Sequence, residues 1–199
     1  MANQQAQSMV SETSICNQAL SGLGMKRIAS LDVPSQSAEF CKDNYPFLRD
    51  EVLERRMWSF ATVRATSTSE ELAEFGELYV HPRPLGWLNV FRVYRAGTDQ
   101  QDKSFRLESN GILSCYSDID VWGVERVTDT GRFSNLFIQC LVQRLRAEMA
   151  IPLTKNRKME MTAMARFEEL LSEAAARDGQ QGANEQIRSS SLIDARRGR

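Results

Sequence analysis

Apolar side chains recur along this chain with two different periods, and the period changes twice. Residues 35–64, SQSAEFCKDNYPFLRDEVLERRMWSFATVR, carry Ala38, Cys41, Tyr45, Leu48 and Val52 at three- and four-residue intervals, which is the spacing of one helical face. Ser35 is placed to cap this segment. Pro46 interrupts it, predicting a kink or two helices, with the second running from Phe47 to about Arg64. A shorter helix is predicted upstream, from Glu12 to Leu23. Ser11 would be its cap, Ile15, Ala19, Leu20 and Leu23 its apolar face, and Gly22 and Gly24 its end. From Leu78 to Val127 the period drops to two. LYVHPRPLG suits a strand edge and a turn, and WLNVFRVYR alternates with aromatic and β-branched residues. Asn110-Gly111 between two alternating runs predicts a tight hairpin, both residues taking positive φ. Ile119 to Val127 supplies a further strand.

The helical period returns near Arg132, where Phe133, Leu136, Phe137, Cys140, Leu141 and Leu145 form a stripe. Asp129, Thr130 or Ser134 could cap it, and Pro152 closes it. A last helix is expected from a Thr154 cap to about Arg177, with Met164, Phe167, Leu171 and Ala174 inward. ATSTSEELAEFGE reads as an exposed connection, and DGQQGANEQIRSSSLIDARRGR has too little apolar surface to fold alone. The predicted fold is therefore α+β: a bundle of about four helices (residues 11–76 and 129–178) carrying an inserted antiparallel β domain (77–128), with flexible arms at 1–10 and 179–199.

Composition changes this picture little. A charged fraction of 26% and a net charge of −1 are those of an ordinary globular protein, and they disfavour a dedicated nucleic-acid binder, which is usually basic. Cys16, Cys41, Cys115 and Cys140 lack metal-ligand spacing and read as buried thiols in a reducing compartment. The polar start, MANQQAQSMV, lacks the apolar core of a secretory signal. No apolar run reaches the roughly 20 residues of a membrane helix, so synthesis in a cytoplasm is expected.

Candidate chemistry is sparse. His81, the single histidine, has no partner identifiable from sequence and reads as a satisfied or surface group. Asp118 and Asp120 would share a strand face, but a hard cation needs more oxygen ligands than these two supply, and solvation in a loop is preferred. Trp58 and Phe60 are read as core for at least one of the two, with a partner anchor as the other possibility. Lys155, Arg157 and Lys158 are placed in the first turn of the last helix, where the dipole disfavours cations. That pattern suggests an anionic partner, with a solvated basic turn as the plainer alternative. No catalytic residue, cofactor site or metal site is assigned.

The order of the segments resembles the tail tubular protein A, or head-to-tail adaptor, family of short-tailed bacteriophages over residues 12–178. ICNQAL followed by GLG resembles the family's opening helix. Tyr45-Pro46, Arg49-Asp50-Glu51-Val52-Leu53 and Trp58-Ser59-Phe60-Ala61 resemble its second segment. VERVTDT resembles the strand leading into an Asp-started helix, and Ile151-Pro152-Leu153-Thr154 the break before the last helix. The segment after Asp178 does not map onto the family pattern.

The resemblance implies a structural virion protein: a ring of twelve copies beneath the portal, joined to the next tail component (tail tube or nozzle) and enclosing a channel for double-stranded DNA. In that setting the cations at 155, 157 and 158 would face carboxylates or the lumen. The tail, with Ile187, Arg188, Leu192, Ile193, Arg196, Arg197 and Arg199, would clip into a groove of the portal, with an unneeded polar terminus as the plainer alternative. Two other readings remain: a small metal-assisted hydrolase built on Asp118, Asp120 and His81, and a cytosolic DNA-binding regulator using the last helix.

Overall fold

The computed structural model describes residues 10–74 and 78–183, with 177–183 as helix backbone only. Four helices and two three-stranded antiparallel sheets make it a mixed α+β protein. Helix α1 (Glu12–Gly22) opens with a reciprocal capping box, in which the Ser14 amide and the Ser11 amide each donate to the other serine's hydroxyl at 3.1 Å. The chain leaves α1 through Gly24 at φ 72°. It is then pinned by buried Asn17, whose amide group donates to the Ile28 carbonyl at 2.9 Å and accepts from the Ile28 N–H at 2.8 Å. That double bond satisfies polar groups that burial would otherwise penalise.

Helix α2 (Gln36–Glu54) starts at the expected Ser35 cap. Pro46 lies inside one helix and does not divide it into two. The helix also stops at Glu54, ten residues short of the predicted end. The indole of Trp58 turns back and donates to the Val52 carbonyl at 2.9 Å, while the Ala61 amide closes a turn onto Trp58. These bonds occupy groups that a continuing helix would have used, so the aromatic stretch forms a reversal.

Strand β1 (Thr62–Thr68) follows immediately, in sequence expected to be helix and loose connection. It pairs with β6 (Asp118–Glu125), which also pairs with β3 (Trp87–Arg95), giving the order β1-β6-β3. The second sheet has the order β2-β5-β4, with β2 (Tyr79–His81), β4 (Arg106–Glu108) and β5 (Gly111–Ser114).

The predicted hairpin is present between β4 and β5, but its turn is shifted by one residue. Glu108 pairs with Gly111, leaving Ser109 and Asn110 in the loop. Among the described residues the non-glycine with positive φ is Lys155, so Asn110 does not adopt the expected conformation. Gly111 has φ 147°, and a Cβ there would lie 2.2 Å from the His81 carbonyl oxygen. Glycine is required by the close approach of β2 as well as by backbone conformation.

Asp129 caps a short 3-10 turn (Thr130–Arg132), and Ser134 caps α3 (Asn135–Met149) through the Phe137 amide. A wide π turn (Ala150–Thr154) holds Pro152. Thr154 does not cap the last helix, because its hydroxyl donates back to Ala150 within that turn. Asn156 does so instead, accepting from the Lys158 and Met159 amides at 3.1 and 3.2 Å. Helix α4 (Arg157–Ala183) extends past Arg177 and into the segment expected to be a flexible arm.

One apolar core joins α1, α2, α3 and α4 with the end of β6. A smaller one, built on Val90, Val93, Ile112, Ile119 and Val121, lies among the strands. Among the described residues no helix is long and apolar enough to cross a membrane.

Candidate functional site

The three residues of the hydrolase reading do not converge. Asp118 and Asp120 project from β6 on the side of Thr68 and Thr66, whose hydroxyls donate to them at 2.7 and 2.8 Å. Asp120 also accepts from the Gly97 amide at 2.9 Å, and Asp118 from the Ser117 hydroxyl at 2.9 Å. The Thr68 bond and then the Ser117 bond hold the Asp118 carboxyl below its ordinary range. These aspartates are strand residues bonded across the sheet, not loop residues. His81 is fully buried. Its Nε2 lies 2.9 Å from the Tyr116 carbonyl and its Nδ1 3.1 Å from the Ser67 hydroxyl. A carbonyl can only accept, so Nε2 carries a hydrogen and donates it to Tyr116. Because side chains alternate along β1, Ser67 and the threonines lie on opposite faces. The histidine and the aspartates are divided by the sheet. Among the described residues no group of three or more potential metal ligands is assembled.

Trp58 is buried and Phe60 partly so, and both join Phe133 and Phe137 in a cluster with ring centroids 4.7–6.3 Å apart. This pair is core. Cys16, Cys41 and Cys140 are buried, and burial pushes the Cys140 thiol up to about 12. Cys115 is exposed, against expectation, because it follows the inward end of β5.

Lys155 precedes α4 in a left-handed conformation, so the basic group is not confined to the first helical turn. Arg157 and Lys158 begin the helix, and all three are exposed. Arg157 borders a groove of about 370 Å³ that also contains Ala147, Met161 and Met164 between Arg144, Glu148 and Glu160. The tail residues Ile187, Arg188, Leu192, Ile193, Arg196, Arg197 and Arg199 lie outside the described residues.

Three arrangements escape a linear reading. The first is an ionic seam that ties the bundle together. Asp50 takes Arg49 at 2.7 Å and, from the chain just after β6, Arg126 at 2.8 Å. Glu51 takes Arg144 of α3 at 2.9 Å, which also holds Glu148 at 2.7 Å.

The second is Asp102, only 3% exposed. It accepts from the Ser104 amide and hydroxyl, the Ser114 hydroxyl at 2.6 Å and the Cys115 amide. Burial pushes its carboxyl up, but the Ser114 and Ser104 bonds, with the two backbone amides, outweigh it and hold the group below its ordinary range. The D-x-S spacing of Asp102 and Ser104 was the available signal, although Ser114 can be added only when the pairing of strands is known.

The third lies on the open face of β1-β6-β3. The Arg64 guanidinium stacks 3.6 Å from the centre of the Trp122 ring, and Tyr94 lies 5.8 Å from the same ring. Together with Thr66, Asp120 and the turn of Gly97, Thr98 and Asp99 they border an open groove of about 650 Å³.

Compared with known proteins, the sequence matches no family model and no curated protein.

Proposed function

We propose that this chain is a structural subunit of a virion, a head-to-tail adaptor that closes into a ring between a portal and the next tail component and leaves a channel for double-stranded DNA. One observation carries the reading. The segments that resemble the adaptor family, far apart in sequence, meet in a single core. Ile15, Cys16, Ala19 and Leu20 of the first segment, Tyr45, Val52, Leu53, Trp58 and Ala61 of the second, and Val124 and Val127 of VERVTDT are all buried in it, with Leu153 packed against its edge. The motif residues thus specify one architecture, and a shared architecture is what a shared assembly would require.

Surface chemistry supports the same reading. Phe47 on α2 is 76% exposed, Met161 on α4 64%, and Leu85 fully so. Each is a large apolar group left on the surface of a subunit that has ample core. In a closed ring one heterologous contact is repeated at every boundary, so a modest patch is multiplied by symmetry. A net charge of −1 imposes little repulsion between copies. The basic start of α4 would face a neighbour's carboxylates or the DNA.

The test is to mix purified protein with a portal ring and image the product. Rings of this chain on the portal, twelvefold as the resemblance implies, support the proposal. Saturable binding of the isolated monomer to duplex DNA with steep salt dependence, and no binding to the portal, would favour the regulator instead.

A further inference from the structure

The two edges of the β1-β6-β3 sheet are finished differently. The β3 edge is closed. The Arg83 guanidinium donates to the Trp87 and Leu88 carbonyls. The Val93 carbonyl takes the Asp102 N–H at 2.8 Å, and the Arg95 N–H reaches the Gln100 carbonyl at 2.9 Å. The register of β3 is also broken in two places. These are the means by which sheets blunt an edge.

The β1 edge has none of them. Its register against β6 runs unbroken from Thr62 to Thr68, and TVRATST holds neither proline nor lysine. In an antiparallel pair the ladder bonds fall on alternate residues. The Glu125 N–H donates to the Ala61 carbonyl at 3.0 Å and the Ser69 N–H to the Ser117 carbonyl at 2.8 Å, which assigns the odd-numbered residues of β1 to the ladder. The N–H and C=O groups of Thr62, Arg64, Thr66 and Thr68 therefore point away from β6. Among the described residues no strand lies beyond them and no backbone group bonds to them. The side chains that could shield this row lean the other way. Arg64 stacks 3.6 Å from the Trp122 ring centre, and the Thr66 and Thr68 hydroxyls reach over to Asp120 and Asp118.

We infer that this free edge docks an extended peptide segment of a partner protein, which adds as an antiparallel strand beside β1. A row of alternating donors and acceptors is matched by another extended backbone, whereas a helix has spent its own groups internally. Side-chain preference follows from the two faces of β1. Val63, Ala65 and Ser67 are only partly buried and stand beside Gly123, Val121 and Ile119. The last two belong to the smaller core. Apolar side chains on that face of the incoming strand would extend this core, and polar ones would join Arg64 and Thr66 on the open face. A second copy of β1 would offer the inner face only Val63, Ala65 and Ser67, so it would add little burial. The inference does not rest on the virion reading.

The probe is a fluorescein-labelled peptide of about eight residues, valine alternating with threonine and ending in lysines for solubility. It is titrated with the full-length chain and followed by anisotropy. Saturable binding is expected, and it should slow exchange of the Arg64 and Thr66 amides, read by NMR. In the antiparallel arrangement the threonine amides of the peptide face β1 and the valine amides face away. N-methylation of the threonine amides should therefore weaken binding at least about tenfold, and N-methylation of the valine amides should leave it nearly unchanged. Thr66→Pro removes an outward N–H and should weaken binding at least about tenfold, with a smaller loss of melting temperature than Ala65→Pro, which removes a ladder bond. The methylated peptides decide the matter even if the proline variants fail to fold. Absence of saturable binding up to about 1 mM overturns the inference, as does binding indifferent to threonine methylation or binding that leaves the Arg64 and Thr66 amides unprotected. A dimer that Thr66→Pro turns into a monomer would give the edge to a second copy and overturn it too.

Discussion

The helical bundle and the strand region are held together by different means. The bundle has a large apolar interior in which an aromatic cluster, Trp58, Phe60, Phe133 and Phe137, locks α3 to the turn after α2. The strand region has two small sheets and a core of five buried aliphatic side chains, Val90, Val93, Ile112, Ile119 and Val121. What apolar burial does not supply there is supplied by buried polar groups. His81 ties β2 to β1 through Ser67, and Asp102 ties the loop after β3 to the end of β5 through Ser114 and Cys115. A core made of area is forgiving in direction, whereas one made of hydrogen bonds is specific and sensitive to the state of each partner.

The sharpest way to break this contrast is from the apolar side. Phe137→Ala should cost about 3–5 kcal/mol and lower the global melting temperature, measured by calorimetry, because Phe137 touches three other rings. Gly111→Ala should cost about 1–3 kcal/mol. Its effect should appear as faster amide exchange in β2, β4 and β5 with little change in α1 to α4, since the new methyl would strike the His81 carbonyl.

Asp102→Ala should cost about 1–3 kcal/mol by stranding the Ser114 and Ser104 donors, again confined to the strand region, and Asp102→Asn should cost less. The same residue sets a pH dependence. Its folded carboxyl titrates below its ordinary value, so the unfolded state binds the proton more readily. Its contribution is present above the unfolded carboxylate pKa of about 3.9 and is lost as pH falls through the lower folded value. Exchange in β4 and β5 should therefore rise in acid before the bundle loosens. The smallest effect is Ser11→Ala, about 1 kcal/mol for a lost cap, read as fraying at the start of α1.

The two regions also differ in how openly the sequence declares them. Periodic apolar faces revealed α1, the body of α2, α3 and α4, because each helix contacts its core along a stripe that only local spacing controls. The end of α2 was hidden, since it depends on the indole of Trp58 reaching back to Val52. β1 was hidden because its inward positions are Val63, Ala65 and Ser67, too small and polar to show a hydrophobic alternation. The hairpin turn was misplaced by one residue because Gly111 answers to the approach of β2, a contact from a strand 30 residues upstream. Of the site residues, the aspartates and the histidine were named, but their separation by β1 follows from alternation only once β1 exists. The stack of Arg64 on Trp122 is a product of register, and no local pattern marks it.

The proposal that this subunit acts by assembling with copies of itself is tested most directly by counting subunits on a portal ring. The measurement is the mass of the complex formed when the full-length chain is added to purified portal at increasing concentration. The expected result is a saturating plateau at one copy per portal subunit, with a closed ring in electron micrographs. A portal mass that stays unchanged at saturating protein would contradict it.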